Sequence, residues 1–447
     1  MHKPPNVEEL LAKAQKPSAD ALRLHPFYRG KLAVTPKCRI QDLDDFAIWY
    51  TPGVAAPCRD IVQNPERVFA HTNKGNFVAI VSDGSRVLGL GDIGPHAALP
   101  VMEGKAILFK YLGGVDAFPI CLGTKNPEEI IQACKWLEPT FGGINLEDIA
   151  KPKCFTILQR LRTEMDIPVW HDDQQGTAAV TLAGLTNALK VVRKAKEEVR
   201  LVLIGAGAAN IAVARVLITV GFPAGHLIMV DTKGILHTKR EDLKTPDNAV
   251  KWQMCEISNT DQRTGGIPEA LQGADVCIAL SRSGPGVIKP EWVTMMAEDA
   301  IVFACANPVP EIWPWEATEA GAKIVATGRS DFPNQVNNSL GFPGIFRGVL
   351  DVRARTITDE MCIAAAEEIA RCAEEKGLSE EYILPRMDDW EVFPREAAAV
   401  GMKAIEQGVA RVVMTKEELL AKAAKLIQRA QKETTVLIET GVIPRAE

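Results

Sequence analysis

Paired carboxylates at two places in the sequence have the chemistry of a divalent-metal site. One pair is Glu147-Asp148, and the other is Asp172-Asp173 in the stretch Trp170-His-Asp-Asp-Gln-Gln-Gly. Carboxylate oxygens suit hard cations such as Mg²⁺ or Mn²⁺, which keep open positions for the carboxylate and hydroxyl of a substrate. Each pair alone is more commonly a helix N-cap or a solvated acidic turn. The metal interpretation therefore requires that the two pairs meet in space.

Two further residues with catalytic side chains stand at the predicted ends of elements. Pro52 disfavours helix at the residue before it, so Tyr50 is predicted at an element end that faces a cleft. Lys105 is predicted near the start of a helix, where the helix dipole favours anions over an ammonium group. The alternatives are a half-buried packing tyrosine and a solvated lysine.

Length, composition and charge narrow the classes of protein. A chain of 447 residues is predicted to form two or three lobes, and 47% hydrophobic with 24% charged residues is typical of a soluble globular protein. A net charge of -6 without a long basic run argues against nucleic acid and anionic membranes as partners. The sequence has neither an apolar run of membrane-spanning length nor the apolar core of a signal peptide, which favours a cytoplasmic protein. The ten cysteines lack C-x-x-C pairs and are predicted to be reduced.

Alternating strands and helices are predicted in the first part of the chain, which we expect to be an α/β catalytic lobe over residues 1–175. Its predicted strands are 76–83, 86–92 and 115–122, and its helices include one that begins near Lys105. From Gly176, apolar residues recur at steps of three and four, which predicts a long helix between the lobes.

The strongest fold signal is a strand at 199–204 that runs into a glycine turn, a helix at 211–220 and a strand ending at Asp231. This order is typical of a dinucleotide-binding unit, with Gly205 at the tight turn and Gly207 beside a pyrophosphate. Asn210 replaces the third glycine of the fingerprint. Asp231 favours a free ribose 2′-hydroxyl and hence NAD, whereas Lys233 could neutralise the 2′-phosphate of NADP. The balance favours NAD slightly.

Further strands at 274–280, 300–305 and 322–326 each lead into a polar loop, so a Rossmann-like, doubly wound parallel sheet is predicted over 176–345. Ligands bind at the carboxyl ends of such strands, which places Asn307, Asn337 and Asn338 near a cofactor or substrate. Turn formation is the alternative for each asparagine. Residues 346–447 are predicted to be helical, with a capping box at Thr415 and Glu418, and to pack back on the first lobe or form a subunit contact.

Taken together, these motifs resemble malic enzymes, specifically the short prokaryotic form. The resemblance covers residues 25–409 and rests on segments that follow the family's order: Tyr50-Thr-Pro-Gly-Val-Ala, Leu88-Gly-Leu-Gly-Asp-Ile-Gly, Glu103-Gly-Lys105, Asn145-Leu-Glu-Asp148, His171-Asp-Asp-Gln-Gln-Gly-Thr-Ala-Ala, Gly205-Ala-Gly-Ala-Ala, Ala306-Asn-Pro and Phe332-Pro-Asn-Gln-Val-Asn-Asn338.

The resemblance implies oxidative decarboxylation of L-malate to pyruvate and CO2, dependent on NAD or NADP and on Mg²⁺ or Mn²⁺. It implies the following roles: Tyr50 as general acid, Lys105 as general base, Asp172 as the group that orients the lysine, Glu147, Asp148 and Asp173 as metal ligands, Ala206 to Ala209 along the pyrophosphate, Asn307 at the cofactor, Asn338 with Asn337 at malate, and Arg86 at a substrate carboxylate. Lys105 can act as a base only when neutral, so burial beside the metal is expected to lower its pKa. A homodimer or larger homo-oligomer is also implied, and Tyr50 could act across the subunit boundary.

Other functions remain open at this stage. The same residues could serve an oxidative decarboxylase of tartrate or of a substituted malate, which a substrate panel would distinguish. A two-lobed amino-acid dehydrogenase also places a lysine ahead of a dinucleotide domain, but it needs no metal. A nucleotide-sensing regulator would bind the cofactor without turnover.

Overall fold

The computed structural model describes residues 7–446, with side chains from residue 15 onward. Its strands are β1 (Phe77–Ser82), β2 (Asp116–Cys121), β3 (Gly143–Leu146), β4 (Val169–His171), β5 (Leu201–Ile204), β6 (Leu227–Asp231), β7 (Gly234–Ile235), β8 (Val276–Ala279), β9 (Ile301–Ala304) and β10 (Ile324–Thr327). Its helices are α1 (Val7–Tyr28), α2 (Leu43–Trp49), α3 (Ala55–Gln63), α4 (Val68–His71), α5 (Gly94–Gly113), α6 (Pro127–Leu137), α7 (Lys153–Glu164), α8 (Thr177–Val192), α9 (Ala208–Thr219), α10 (Ala249–Ile257), α11 (Ile267–Leu271), α12 (Pro290–Val293), α13 (Pro314–Glu319), α14 (Phe342–Asp351), α15 (Asp359–Lys376), α16 (Val392–Glu406) and α17 (Lys416–Glu439).

The first sheet has the strand order β2-β1-β3-β4, and its paired strands are all parallel. Residues 78–81 of β1 are fully buried, because helices cover both faces of a parallel sheet. The chain leaves β3 at Glu147 and β4 at Asp172. The two acidic pairs therefore start from neighbouring strand ends.

The second sheet has the order β10-β9-β8-β5-β6-β7 and confirms the predicted doubly wound α/β fold. Its paired strands are parallel except for β7, which runs antiparallel to β6. Only Thr232 and Lys233 separate these two strands, which is too short for a parallel crossover. The sheet therefore ends in a short antiparallel edge strand.

The C-terminal helices pack against the first lobe, as the sequence predicted. On α17, Glu433 lies 3.1 Å from the ammonium of Lys110, and the side-chain amide of Gln431 donates to the carbonyl oxygen of Tyr111 at 3.3 Å. The capping box also forms, because the Thr415 hydroxyl accepts from the Glu418 N–H and the Glu418 carboxylate accepts from the Thr415 N–H. In the described range 7–446, none of the helices is both long and apolar enough to cross a membrane.

Two local predictions in the first lobe are wrong. Helix α5 begins at Gly94, with Pro95 in its first turn, so Lys105 lies in the middle of a helix and the dipole argument does not apply to it. Residues 86–92 form a bent loop with one bridge, between Val87 and Gly91, instead of a strand. Positive φ angles at Leu88 (44°) and Gly91 (79°) turn the chain out of an extended course.

Candidate active site

Lys105 lies at the centre of the buried polar groups of the first lobe. Its ammonium is hydrogen-bonded to the Oδ2 atom of Asp172 and lies 3.1 Å from the Oε1 atom of Glu147. It also stands over the ring of Phe342, 4.2 Å from the ring centroid. The Lys105 side chain is 8% exposed and that of Asp172 is fully buried. The predicted base and its predicted orienting carboxylate are therefore brought together.

Both carboxylates beside Lys105 are held by neighbouring side chains. The indole N–H of Trp170 donates to Asp172 Oδ1 at 3.0 Å, which leaves Oδ2 for the lysine. The side-chain amide of Asn145 donates to Glu147 Oε2 at 2.9 Å. Since each carboxylate is anchored through one oxygen, its other oxygen has a defined direction.

Glu147, Asp148 and Asp173 form an acidic cluster in which one oxygen of each lies within 4.8 Å of the others. The cluster forms because the Asp148 N–H donates to Asp173 Oδ2 at 3.0 Å. Asp148 adopts a φ of +55°, a left-handed conformation that aspartate tolerates better than most residues. Strain of this kind is concentrated at functional sites.

The acidic cluster fits a hard divalent cation. The buried Asp148 Oδ2 has no hydrogen-bond partner among the residues that the structure describes. Burial, together with the neighbouring carboxylates, raises the pKa of Glu147 and of Asp148. Repulsion and desolvation of this kind are relieved by a cation, and an all-oxygen donor set suits Mg²⁺ or Mn²⁺.

The protein groups around Lys105 act on its pKa in opposite directions. Burial acts to lower this pKa, but the charges of Asp172 and Glu147 outweigh the burial, and the net shift is upward. The protein groups alone therefore hold the lysine charged. A cation that engages Glu147 would weaken the upward effect of this carboxylate on the pKa of Lys105.

The turn after β5 has the shape that a dinucleotide requires. Gly205 has a φ of +101°, and a Cβ atom there would lie 2.6 Å from the carbonyl oxygen of Leu280. A Cβ on Gly207 would meet nothing within 4 Å, so there is room for a ligand beside this residue, where α9 begins at Ala208 and Ala209 after the buried Ala206. Asn210 replaces the third glycine because its side-chain amide donates to the carbonyl oxygens of Ile204 and Gly205, both at 2.9 Å.

Asp231, at the end of β6, is paired with two cations that the sequence analysis did not identify. Arg240 reaches both of its oxygens, at 3.2 and 3.3 Å, and Lys251 lies 2.9 Å from Oδ2. Burial acts to raise the pKa of Asp231, but these hydrogen bonds hold it below its usual value. The ammonium of Lys233 instead pairs with Asp242, at 3.0 Å. Spacing along the sequence could not identify these partners, which come from a later loop and α10.

Two loops from the second sheet, which follow β8 and β9, meet the bent loop of the first lobe. A Cβ on Gly89 would lie 2.6 Å from the carbonyl oxygen of Asn307 and 2.7 Å from Ser283, so the two lobes touch there. The exposed Arg86 donates to the carbonyl oxygen of Leu88 at 2.7 Å, and its backbone N–H bonds to the carbonyl of Asp148. Arg86 thus borders the acidic cluster.

Asn337 and Asn338 have different environments. Asn337 uses its amide within the loop, donating to the carbonyl oxygen of Gly328 at 2.9 Å and accepting from the Ser339 N–H at 3.0 Å. The Asn338 side chain makes no hydrogen bond with any described residue, and its Cβ lies 3.2 Å from the point where Gly176 would carry one. Asn338 is therefore the asparagine with a free amide beside the Asp172 turn.

Tyr50 is not joined to the Lys105 cluster by a hydrogen bond within one protomer. It is 72% exposed at the end of α2, and its hydroxyl has no hydrogen-bond partner among the side chains described from residue 15 to residue 446. Its neighbours on α2 are also exposed and apolar: Leu43, Phe46, Ile48 and Trp49. An exposed apolar patch of this kind marks an interaction surface.

Comparison with known proteins identifies the family. Residues 174–406 match the family description "Malic enzyme, NAD binding domain", and residues 29–130 and 123–162 match "Malic enzyme, N-terminal domain". The chain is 50% identical over 407 residues to the "Bifunctional malic/malolactic enzyme" of Bacillus subtilis, which covers 91% of this chain and 98% of the relative.

Two further relatives differ in the cofactor that their names give. The chain is 51% identical to the "NAD-dependent malic enzyme" of Geobacillus stearothermophilus, across 86% of this chain and 78% of the relative. It is 43% identical to the "NADP-dependent malic enzyme" of Halomonas elongata, across 86% and 92%. The family thus includes close relatives named for each dinucleotide.

The fold agrees with a solved structure over its whole length. The malic enzyme of Entamoeba histolytica superposes with a TM-score of 0.97 at 48% identity, covering 100% of this chain and 94% of that chain. The two family descriptions together match residues of both lobes, and the relatives and the solved structure cover most or all of the chain; on this basis the chain belongs to the malic enzyme family.

Proposed function

We propose that this protein converts L-malate to pyruvate and CO2 with reduction of NAD(P)⁺, dependent on Mg²⁺ or Mn²⁺. The observation that carries the proposal is the buried pair of Lys105 and Asp172 beside three clustered carboxylates, at the edge where the lobes touch. This arrangement provides a base, a cation site and an adjacent dinucleotide turn.

The residues of the chain can be assigned to the proton transfers. When bound, the dinucleotide supplies the hydride acceptor for C2 of malate, and a divalent cation supplies Lewis-acid polarisation of the C2 oxygen. Lys105, once neutral, takes the proton of the C2 hydroxyl, while Asp172 keeps the lysine side-chain nitrogen oriented. The C3–C4 bond then breaks, CO2 leaves, and the electron pair moves toward the C2 oxygen. Tyr50 donates the proton that C3 needs to give pyruvate.

Two polar groups at the edge of the acidic cluster support a place for the substrate. Asn338 offers an uncommitted amide, and Arg86 offers a cation for a carboxylate. Glu147, Asp148 and Asp173 would hold the cation, and Asn307 would meet the cofactor.

We also infer that the chain is divided into three lobes, at residues 1–175, 176–345 and 346–447. A substrate panel with L-malate, tartrate and substituted malates separates the main proposal from its alternative.

The experiment that tests the function follows nicotinamide reduction with L-malate and Mn²⁺, with NAD and NADP in parallel and with EDTA as control. We expect reduction that EDTA abolishes, with pyruvate as the product. Reduction that ignores EDTA would exclude the metal role of the acidic cluster. If L-malate supported no nicotinamide reduction with either dinucleotide, the substrate would be another 2-hydroxy acid.

For the cofactor, we infer that Arg240 and Lys251 decide how well NADP competes with NAD. Both oxygens of Asp231 are paired with the cations Arg240 and Lys251, which partly neutralise the carboxylate. Its repulsion of a 2′-phosphate is therefore weaker than that of an unpaired aspartate at the same position. The exposed Lys151 adds a third cation: its ammonium donates to the carbonyl oxygen of Ala206 at 3.1 Å, and it lines the same cleft as Lys251. NAD stays the slightly favoured cofactor, with NADP accepted.

Lys251→Ala is expected to raise KM for NADP by about tenfold, because a charge-assisted contact to phosphate contributes about 1.4 kcal/mol or more. KM for NAD should change much less, since no phosphate is lost. The matched control is Lys244→Ala, whose ammonium bonds to Glu241 instead. Steady-state kinetics with both dinucleotides measure the ratio, and an equal rise in both KM values would contradict the inference.

We further propose a homodimer or larger homo-oligomer in which the exposed face of α2 meets a second copy and Tyr50 enters the partner's site. The 72% exposure of Tyr50 and the apolar residues around it support this arrangement. Mixing Tyr50→Phe with Lys105→Ala chains tests it. If the subunits exchange, shared sites should restore about one quarter of the wild-type activity, whereas a tyrosine that acts within its own chain should restore none.

Tyr50→Phe is expected to lower pyruvate formation from L-malate by about 10²-fold, the contribution typical of a positioned general acid. Since the phenol serves only the last proton transfer, reduction of added oxaloacetate to malate should be largely spared. Both rates are measured with the same enzyme stock. An equal loss of the two activities would remove Tyr50 from the protonation step.

A further inference from the structure

The carboxylate of Glu311 joins two loops of the second sheet and has no part in the reaction described above. Its Oε1 atom accepts from the backbone N–H of Ser281 at 2.8 Å and from the Ser281 hydroxyl at 3.0 Å. Its Oε2 atom accepts from the backbone N–H of Ala306 at 3.0 Å. Ser281 lies just past β8 and Ala306 just past β9, so one side chain fixes the distance between the two loops.

Each loop that Glu311 holds contacts a part of the dinucleotide site. The carbonyl oxygen of Leu280, next to Ser281, lies 2.6 Å from the position of a Cβ on Gly205, in the phosphate turn. Asn307 follows Ala306 directly, and its carbonyl oxygen lies equally close to the Cβ position of Gly89, in the first lobe. Contacts this close are tightly packed, so a displacement of either loop would also displace the residue that it contacts, Gly205 or Gly89.

Glu311 is fully buried, and among the side chains that the structure describes, in residues 15–446, no Lys, Arg or His forms an ion pair with it. Burial raises its pKa to about 7, despite the hydrogen bonds from the Ala306 and Ser281 N–H groups. The titratable groups around it are the buried thiols of Cys277 and Cys305, whose pKa values are raised by burial and further by the charge of Glu311. A buried acid without a counter-charge costs stability, which points to a role in geometry instead.

We propose that Glu311 is a positioning residue for the dinucleotide, which holds the β8 and β9 loops so that Asn307 and the Gly205 turn engage one cofactor together. The proposal rests on the dinucleotide-dependent function proposed above. Glu311 itself contacts no reacting atom. It acts through Ser281 and Ala306, and its loss should weaken cofactor binding more than it lowers the thermal stability of the protein.

Glu311→Gln tests the proposal with little change in volume. A glutamine has one acceptor oxygen and one NH2 group, so it cannot accept from both Ser281 and Ala306. We expect the Kd for NADH and NADPH, measured by fluorescence titration, to rise about tenfold, the equivalent of about 1.4 kcal/mol. Hydrogen exchange at the Ala306 amide should become faster, because that N–H loses its acceptor.

Glu368→Gln is the matched control, because Glu368 is a buried carboxylate on α15 that bonds to Arg371 and Arg395. It is expected to lower Tm and leave the Kd for NADH and NADPH within about twofold of wild type, since its partners lie outside the cofactor loops.

The pH dependence of Tm also distinguishes Glu311→Gln from Glu368→Gln. A raised folded-state pKa means that the contribution of Glu311 to stability is complete below its ordinary value near 4.5 and is lost as the pH rises through about 7. At pH 8, Glu311→Gln should therefore not lower Tm as Glu368→Gln does.

The outcomes are distinct. A wild-type protein that binds neither NADH nor NADPH overturns the proposed function itself. Wild-type binding with an unchanged Kd in Glu311→Gln overturns the positioning role alone. A raised Kd accompanied by a fall in Tm at pH 8 as large as that of the control would indicate a merely structural role and also overturn it. If the glutamine variant does not fold, Glu311→Asp, which keeps the charge but withdraws the carboxylate, is read by the same three criteria.

Discussion

Lys105→Ala is expected to lower kcat/KM for L-malate by about 10³-fold, within the range that positioned general bases contribute. The expectation follows from geometry, since the Lys105 ammonium is the buried cation that joins Asp172 to Glu147 beside the acidic cluster. Both malate oxidation and oxaloacetate reduction should fall, because each needs a proton moved at the C2 oxygen. Added small amines should restore part of the rate. Rates with and without methylamine are the measurement.

Loss of a buried cation also leaves two carboxylates unpaired, so stability has to be measured alongside activity. The matched control is Lys110→Ala on the same helix, where the ammonium pairs with Asp116 and Glu433 away from the acidic cluster. This control should lose some thermal stability and retain most of its turnover. Intact malate oxidation in Lys105→Ala, or an equal loss in the control, would refute the role of the base.

The order of elements in the second lobe was predictable because its signals are local. The glycine turn, the helix that follows and Asp231 lie within one short segment, and each dihedral or packing demand is visible in the residue types. The long helix after Gly176 was predictable for the same reason, since an apolar stripe needs only the helical period. In the first lobe, the same local reasoning misplaced the start of α5. The prediction took Lys105 as the beginning, although Pro95 in the first turn of α5 is a helix-start signal that precedes it.

The partners of the site residues could not be predicted, because they depend on distances between elements far apart in sequence. Arg240 and Lys251 reach Asp231 from nine and twenty residues away, while Lys233, two residues away, turns to Asp242. Glu311 reaches Ser281 across thirty residues. A sequence pattern indicates which residue types are available for chemistry. The fold alone determines which charges neutralise one another and which remain free for a ligand.

The carboxylates of the acidic cluster are such charges, and substitution of Asp173 is the second change for which we expect a large loss of activity. Asp173→Asn is expected to weaken Mn²⁺ binding by about 10²-fold, roughly 3 kcal/mol, and to lower malate turnover at fixed Mn²⁺ by about 10³-fold. The substitution isolates the charge, because an amide oxygen at the Oδ2 position can still accept from the Asp148 N–H, which holds the turn in place. Removing one negative charge also relieves repulsion within the acidic cluster, so the variant should be no less stable without metal.

Titration of the apoprotein with Mn²⁺, followed by electron paramagnetic resonance of the free ion, gives the affinity independently of activity. Asp116→Asn serves as control, since that carboxylate lies at the start of β2 and is bonded to Lys37, Asn76 and Lys110. It should lower thermal stability and leave Mn²⁺ affinity unchanged. If Asp173→Asn bound Mn²⁺ as the wild type does and kept a near-normal rate, the cation would have to be held elsewhere. The close approach of Glu147, Asp148 and Asp173 would then have to be explained without a metal.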